Sequence, residues 1–75
     1  MTEKTSEPKV GDLIVLQPNQ IHTVCVDKKT SMFAYIQKGQ LCLLLEKYGI
    51  KCEVMVEGKV LTADVRSFEV VSAAR

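Results

Sequence analysis

The strongest constraint on the fold is a hairpin pattern in the middle of the chain, residues 50–60, with the sequence IKCEVMVEGKV. Apolar and polar residues alternate there up to the pair Glu57-Gly58. Such alternation predicts half-buried strands, and a Glu-Gly pair between them predicts a two-residue turn. The opposed residues on the apolar face are then Cys52 with Ala63 and Val54 with Leu61. This face is expected to line the core.

The rest of the chain shows the same kind of pattern. Short β-prone runs, separated by turn-forming residues, cover 13–16, 21–26, 32–37, 41–47, 50–56, 59–65 and 68–71. No segment keeps a 3.6-residue apolar period long enough for a helix, so the chain is predicted to be all-β, with at most a single 3₁₀ turn at 65–68. Residues 1–8 are polar and aperiodic and are predicted to be a flexible tail, which leaves 9–75 as a single domain.

A second two-residue turn at Tyr48-Gly49 would fix the register of the neighbouring strand. Leu45 would then lie opposite Cys52, and Leu43 opposite Val54, on the core face. The outward face would carry an apolar row in place of the usual polar side chains: Cys42, Met55 and Val60, with Leu44 beside them. Such a row should be covered in the functional state, either by residues 17–38 or by another subunit.

Three segments carry a resemblance to a known family. The segments KVGDLIVL, GQLCLLLEKYGIKCEVMVEGKV and FEVVS resemble, in that order, the small SH3-like barrel proteins common in bacteriophage genomes. The resemblance implies an SH3-like barrel of five core strands, and residues 17–38 would add an extra hairpin. Barrels of this type host many unrelated activities, so the resemblance points to fold more than to function.

Charge disfavours a nucleic-acid partner, because binders of nucleic acid usually present a basic face. The 75-residue chain has a net charge of only +1. The best local candidates for contacts with single-stranded RNA or DNA are two lysines near two aromatic residues: Lys28, Lys29, Phe33 and Tyr35.

No residue pattern points to catalysis, a metal or a cofactor. His22 is the only histidine and has no recognised catalytic spacing to a nucleophile or carboxylate. Cys25, Cys42 and Cys52 form neither a zinc motif nor a disulfide framework. All three are expected to be free thiols. Cys42 and Cys52 should face opposite ways, which makes the outward Cys42 the more reactive.

These observations favour a non-enzymatic module that binds another protein. The partner is expected to be a virion or assembly protein of a phage, or a second copy of the chain, with Cys42, Leu44, Met55 and Val60 at the contact. A nucleic-acid-binding barrel and a phage-encoded inhibitor of a host protein are the alternatives. No signal peptide or apolar span is found in the sequence, so the host cytoplasm or the virion is the expected location, and neither a membrane nor a small-molecule substrate is expected.

Overall fold

The chain folds into β-strands joined by tight turns. A computed structural model describes residues 7–73, which form seven strands and one 3₁₀ turn. In chain order these are β1 (Leu13–Leu16), β2 (His22–Asp27), β3 (Phe33–Gln37), β4 (Cys42–Tyr48), β5 (Lys51–Val56), β6 (Lys59–Asp64), the 3₁₀ turn (Val65–Ser67) and β7 (Phe68–Ser72). The all-β prediction is confirmed. The first and last residues of every strand lie within one residue of the predicted ones.

All seven strands belong to one antiparallel sheet, which curls into a half-barrel. The strand order is β3-β2-β6-β5-β4-β1-β7. The concave face encloses a single core, and its largest fully buried side chains include Phe68, Ile14, Leu16, Ile36 and Leu44. Strands from both halves of the chain contribute to this core, so the structure does not single out five of them as a core set.

The extra hairpin predicted in residues 17–38 is present as β2 and β3. It extends the sheet beside β6, where Val26 pairs with Thr62. The inner side chains Cys25 and Ile36 are buried in the common core. The hairpin is therefore an integral part of the sheet.

The predicted register of β5 against β6 is correct, but that of β4 against β5 is wrong. The turn between β4 and β5 consists of Gly49 and Ile50, because Tyr48 pairs with Lys51. Gly49 has φ +63°, as the first central residue of a tight hairpin turn of this kind requires, and a tyrosine would be strained there. The pairing then shifts by one residue between Leu44 and Glu46, which marks a β-bulge.

The bulge reverses which side chains of β4 face the core. A one-residue shift of register moves every following side chain to the other face. Leu44 lies opposite Val54 and Leu43 opposite Met55. Cys42 and Leu44 therefore point into the half-barrel, whereas the register predicted from sequence has Leu43 pointing there.

The packed part of the chain begins before Lys9. Pro8 is buried, and its carbonyl accepts a hydrogen bond of 3.1 Å from Lys47 Nζ. The same ammonium group forms an ion pair of 3.0 Å with Glu7. Part of the predicted tail thus contacts the sheet, and residues 1–6 lie outside the described residues.

Candidate protein-binding surface

The convex face of the sheet carries a straight row of apolar side chains across four neighbouring strands. Leu13 of β1 lies opposite Leu43 of β4, Leu43 lies opposite Met55 of β5, and Met55 lies opposite Val60 of β6. We call these four residues the outer row. Leu13, Leu43 and Met55 are 37%, 38% and 36% exposed, and Val60 is partly buried.

The outer row differs in two members from the row expected from sequence. Met55 and Val60 are on the outer face as predicted. Cys42 and Leu44 are each 1% exposed and belong to the core, because of the bulge between Leu44 and Glu46. The sequence signal for the bulge is the run Leu43-Leu44-Leu45, in which three consecutive apolar residues break the alternation that a regular strand would keep.

Residues 17–38 do not cover the outer row. The β2–β3 hairpin lies beside β6 in the sheet, where the Lys28 N–H donates to the Val60 carbonyl at 2.9 Å. The side chains of Leu13, Leu43 and Met55 remain more than one-third exposed. Within residues 7–73 the intramolecular cover considered from the sequence is absent.

Charged side chains border the outer row on the next line across the sheet. Glu46 lies opposite Glu53, and Glu53 lies opposite Thr62. The Lys28 ammonium group donates to Glu53 Oε2 at 2.8 Å, and this hydrogen bond, together with the charge of Glu53, raises the pKa of Lys28. The lysine thereby offsets the repulsion between two carboxylates that face each other across the strands.

The two aromatic residues of β3 form a second exposed surface. Phe33 is 78% exposed and Tyr35 is 60% exposed. Their cross-strand neighbours on β2 are Val26 and Val24. The His22 ring packs edge-on against Tyr35, with 5.7 Å between the ring centroids. This surface is apolar and aromatic, and it lies at the outermost strand of the sheet.

The lysines of the alternative nucleic-acid site lie at the tip of the same hairpin. Lys28 and Lys29 line a shallow depression of about 540 Å³, and Lys59 of the neighbouring β5–β6 hairpin lines it as well. The sequence reasoning missed Lys59, although its place directly after the turn residue Gly58 puts it at a hairpin tip. Asp27 also lines the depression, and Lys28 is paired with Glu53, so the local positive charge is reduced.

All three cysteines are free and buried. Cys25, Cys42 and Cys52 are at most 2% exposed, and burial raises the pKa of each thiol to about 11. The predicted core position of Cys52 is confirmed. The expectation that Cys42 faces outward and is the more reactive thiol is wrong, because both Cys42 and Cys52 face the core.

The remaining chemistry-bearing residues do not converge on one site. His22 lies exposed on β2, and no group of three His, Cys, Asp or Glu side chains between residues 7 and 73 is arranged to hold a metal ion. No helix in the described part of the chain is long and apolar enough to span a membrane. No family model, curated protein or solved structure matches the chain.

Proposed function

We propose that this protein is a non-enzymatic binding module that docks on another protein through the outer row. The observation that carries the proposal is the alignment of Leu13, Leu43, Met55 and Val60 across four hydrogen-bonded strands, on a face where polar side chains are usual. Regular strands hold these side chains in fixed positions, so little backbone entropy is lost when a partner covers them.

The energy available from this contact is sufficient for specific binding by a small domain. Full burial of one such side chain contributes about 1.5 to 3 kcal/mol, and the members of the row are already partly buried. Leu43 and Met55 have the two central positions, because each has an apolar member of the row on both sides. Central, well-packed residues of this kind contribute most to protein interfaces.

The resemblance to small phage barrels suggests the biological setting. An SH3-like barrel of that group would be a small accessory or structural component of a virion or of an assembly intermediate, located in the virion or in the host cytoplasm. An inhibitor of a host protein would use the same kind of surface, and the identity of the bound partner separates these two roles.

The experiment compares a variant of the outer row with a control on the same strand and face. Met55→Glu places a charge in the centre of the row, whereas Lys51→Gln changes an exposed residue outside it. Partners captured from the natural source are identified, purified and titrated against each variant by calorimetry. Met55→Glu should weaken binding at least about tenfold, which is about 1.4 kcal/mol, and Lys51→Gln should leave the affinity within about twofold.

Both variants should keep the native fold and nearly the native melting temperature, because both side chains are on the convex face. A folded Met55→Glu variant that binds the purified partner as tightly as the wild type would contradict the proposal.

The alternative is a barrel that binds single-stranded nucleic acid through the β2–β3 hairpin. The exposure of Phe33 and Tyr35 favours it, since bases stack on aromatic side chains of this kind, and three lysines lie at the hairpin tips. A labelled mixed-sequence RNA, titrated at low and at physiological salt, tests this reading. Affinity that falls steeply with salt, and that is lost in the double variant Lys28→Ala/Lys29→Ala, would support it over the protein-binding proposal.

A further inference from the structure

The outermost strand β3 has an open edge with unpaired backbone groups. The Met32 carbonyl accepts a hydrogen bond from the Asp27 N–H, and the Lys38 N–H donates to the Ile21 carbonyl, each at 2.8 Å. Met32 and Lys38 flank β3, so the even-numbered residues between 32 and 38 point their backbone groups toward β2. By alternation, the N–H and C=O groups of Phe33 and Tyr35 point away from β2. Among residues 7–73 these four groups have no hydrogen-bond partner.

The backbone of Gln37 confirms this orientation, because it follows the same odd-numbered alternation. Its N–H donates to Oε1 of Gln40 at 3.1 Å, and its carbonyl accepts from the Gln40 N–H, also at 3.1 Å. Both bonds form on the side away from β2. The turn after β3 thus satisfies Gln37 and leaves the two aromatic residues as the open part of the edge.

The β3 edge also lacks the features that usually prevent strand pairing. Natural edge strands carry charges, prolines or bulges that block the approach of another strand. Residues 30–37 contain no charged residue, no proline and no glycine. The opposite edge of the sheet, β7, carries Glu69, and its pairing with β1 is irregular. The two edges of the sheet therefore differ, and of these two only β3 is both regularly paired and uncharged.

We propose that β3 pairs antiparallel with β3 of a second copy of the chain, about a two-fold axis at Ala34. In this register Phe33 lies opposite Tyr35 of the second copy, and Tyr35 lies opposite its Phe33. Each of these pairs exchanges two hydrogen bonds, so the four unpaired groups of one copy are all satisfied by the four of the other. The two half-barrels then share one continuous sheet.

The side chains fit this symmetric arrangement. The residue at the axis forms a non-hydrogen-bonded pair with its own copy, where the Cα atoms approach most closely, and Ala34 is small enough for that approach. On the convex face, each Phe33 gains an aromatic cross-strand neighbour on one side and keeps Val26 on the other. The open backbone groups match a strand with the same two-residue spacing, and this chain carries such a strand itself.

The inference does not depend on the outer row, which lies on other strands. Sedimentation velocity and amide hydrogen exchange over a range of protein concentrations test it with the full chain. The wild type should show a monomer–dimer equilibrium in the micromolar range, as expected for a small interface. The Phe33 and Tyr35 amides should gain at least about tenfold protection on dimerisation, while the already bonded Gln37 amide should not change.

A charge-exchange experiment tests the register itself. The double variants Phe33→Lys/Tyr35→Lys and Phe33→Glu/Tyr35→Glu each place like charges opposite one another, so each should be monomeric at concentrations where the wild type dimerises. An equimolar mixture should recover a heterodimer, because opposite charges then face each other. Both substituted positions, 33 and 35, are on the convex face, so both double variants should fold as monomers. Far-ultraviolet circular dichroism checks that they are folded.

A matched pair at one position separates the backbone from the side chain. Both Tyr35→Pro and Tyr35→Thr remove the aromatic ring. The proline also removes the N–H that points away from β2 and should abolish dimerisation, whereas the threonine keeps this N–H and should still dimerise. Met55→Glu, which disrupts the outer row, should dimerise as the wild type does.

A chain that stays monomeric at millimolar concentration overturns the proposal. A dimer without protection of Phe33 and Tyr35, or one lost in Met55→Glu, overturns it as well and moves the interface to another surface.

Discussion

Lys28, at the tip of the β2–β3 hairpin, donates a hydrogen bond of 2.8 Å to Glu53 in the middle of β5. The bond spans 25 residues of sequence and reaches across β6 to join the hairpin to the central strands. The contact offsets the repulsion between the carboxylates of Glu53 and Glu46, which lies directly opposite Glu53 on β4. The ion pair therefore contributes both to the docking of the hairpin and to the pairing of two central strands.

Removal of this lysine should loosen the hairpin without unfolding the protein. Lys28→Ala leaves the Lys28 N–H bonded to the Val60 carbonyl, so the backbone connection remains. Because exposed ion pairs contribute little to the free energy of unfolding, the amide hydrogens of β2 should exchange only about two- to fivefold faster in the variant. Lys29→Ala, with no ion pair in the described part of the chain, is the control and should leave exchange unchanged.

The β5–β6 turn can be stabilised by a single substitution. Glu57 and Gly58 have φ +50° and +78°, the conformation of a turn with two left-handed residues, which glutamate adopts unfavourably. Glu57→Asn should raise the free energy of unfolding by about 0.5 to 1 kcal/mol, because asparagine tolerates this conformation. Chemical denaturation measures the change. Gly58→Ala should lower stability, and equal effects of the two substitutions would contradict the assigned turn.

Two neighbouring leucines test the bulge in β4. Leu44 is 1% exposed, and Leu43 is 38% exposed on the outer row. Leu44→Ala should destabilise the protein by about 2 to 5 kcal/mol, as for other core leucines. Leu43→Ala should cost less than about 1.5 kcal/mol, because much of its side chain is already in water. The reverse order in denaturation experiments would restore the register predicted from sequence.

The same two residues show how far the sequence determines the fold. Alternation and turn residues were sufficient for the seven strands and for the β5–β6 register, since Glu57-Gly58 fits a two-residue turn in only one way. They failed for β4. The run Leu43-Leu44-Leu45 is compatible with either face toward the core, and packing against β5 and β1 decides between them.

The candidate surfaces were predictable to a similar extent. Met55 and Val60 were identified because they lie on the strands with the correct register. Leu13 was missed because its place in the row depends on the pairing of β1 with β4, which are separated by 25 residues between Leu16 and Cys42. The open edge of β3 depends on strand order, which local patterns do not encode.

The buried thiols should make the protein lose stability in alkali. Burial raises the pKa of Cys25, Cys42 and Cys52 from an ordinary 9.0 to about 11. Between these values the unfolded chain releases thiol protons that the folded chain retains, so this contribution is fully present below pH 9 and is lost as the pH rises toward 11. At pH 10 each thiol should lower the free energy of unfolding by about 1.4 kcal/mol.

Urea denaturation between pH 8 and pH 10.5, under reducing conditions, measures this loss. Cys25→Ala removes one of the three buried thiols and should reduce the thiol contribution to the slope of stability against pH by about one-third, whatever its effect at pH 8. The two proteins differ in no other titratable group, so the comparison isolates the thiol. In the native protein at pH 8, all three thiols should react slowly with a bulky reagent and at similar rates, because each reaction requires opening of the core. Rapid modification of Cys42 alone would show that it is exposed, as the sequence register had placed it, and would refute the core packing of β4.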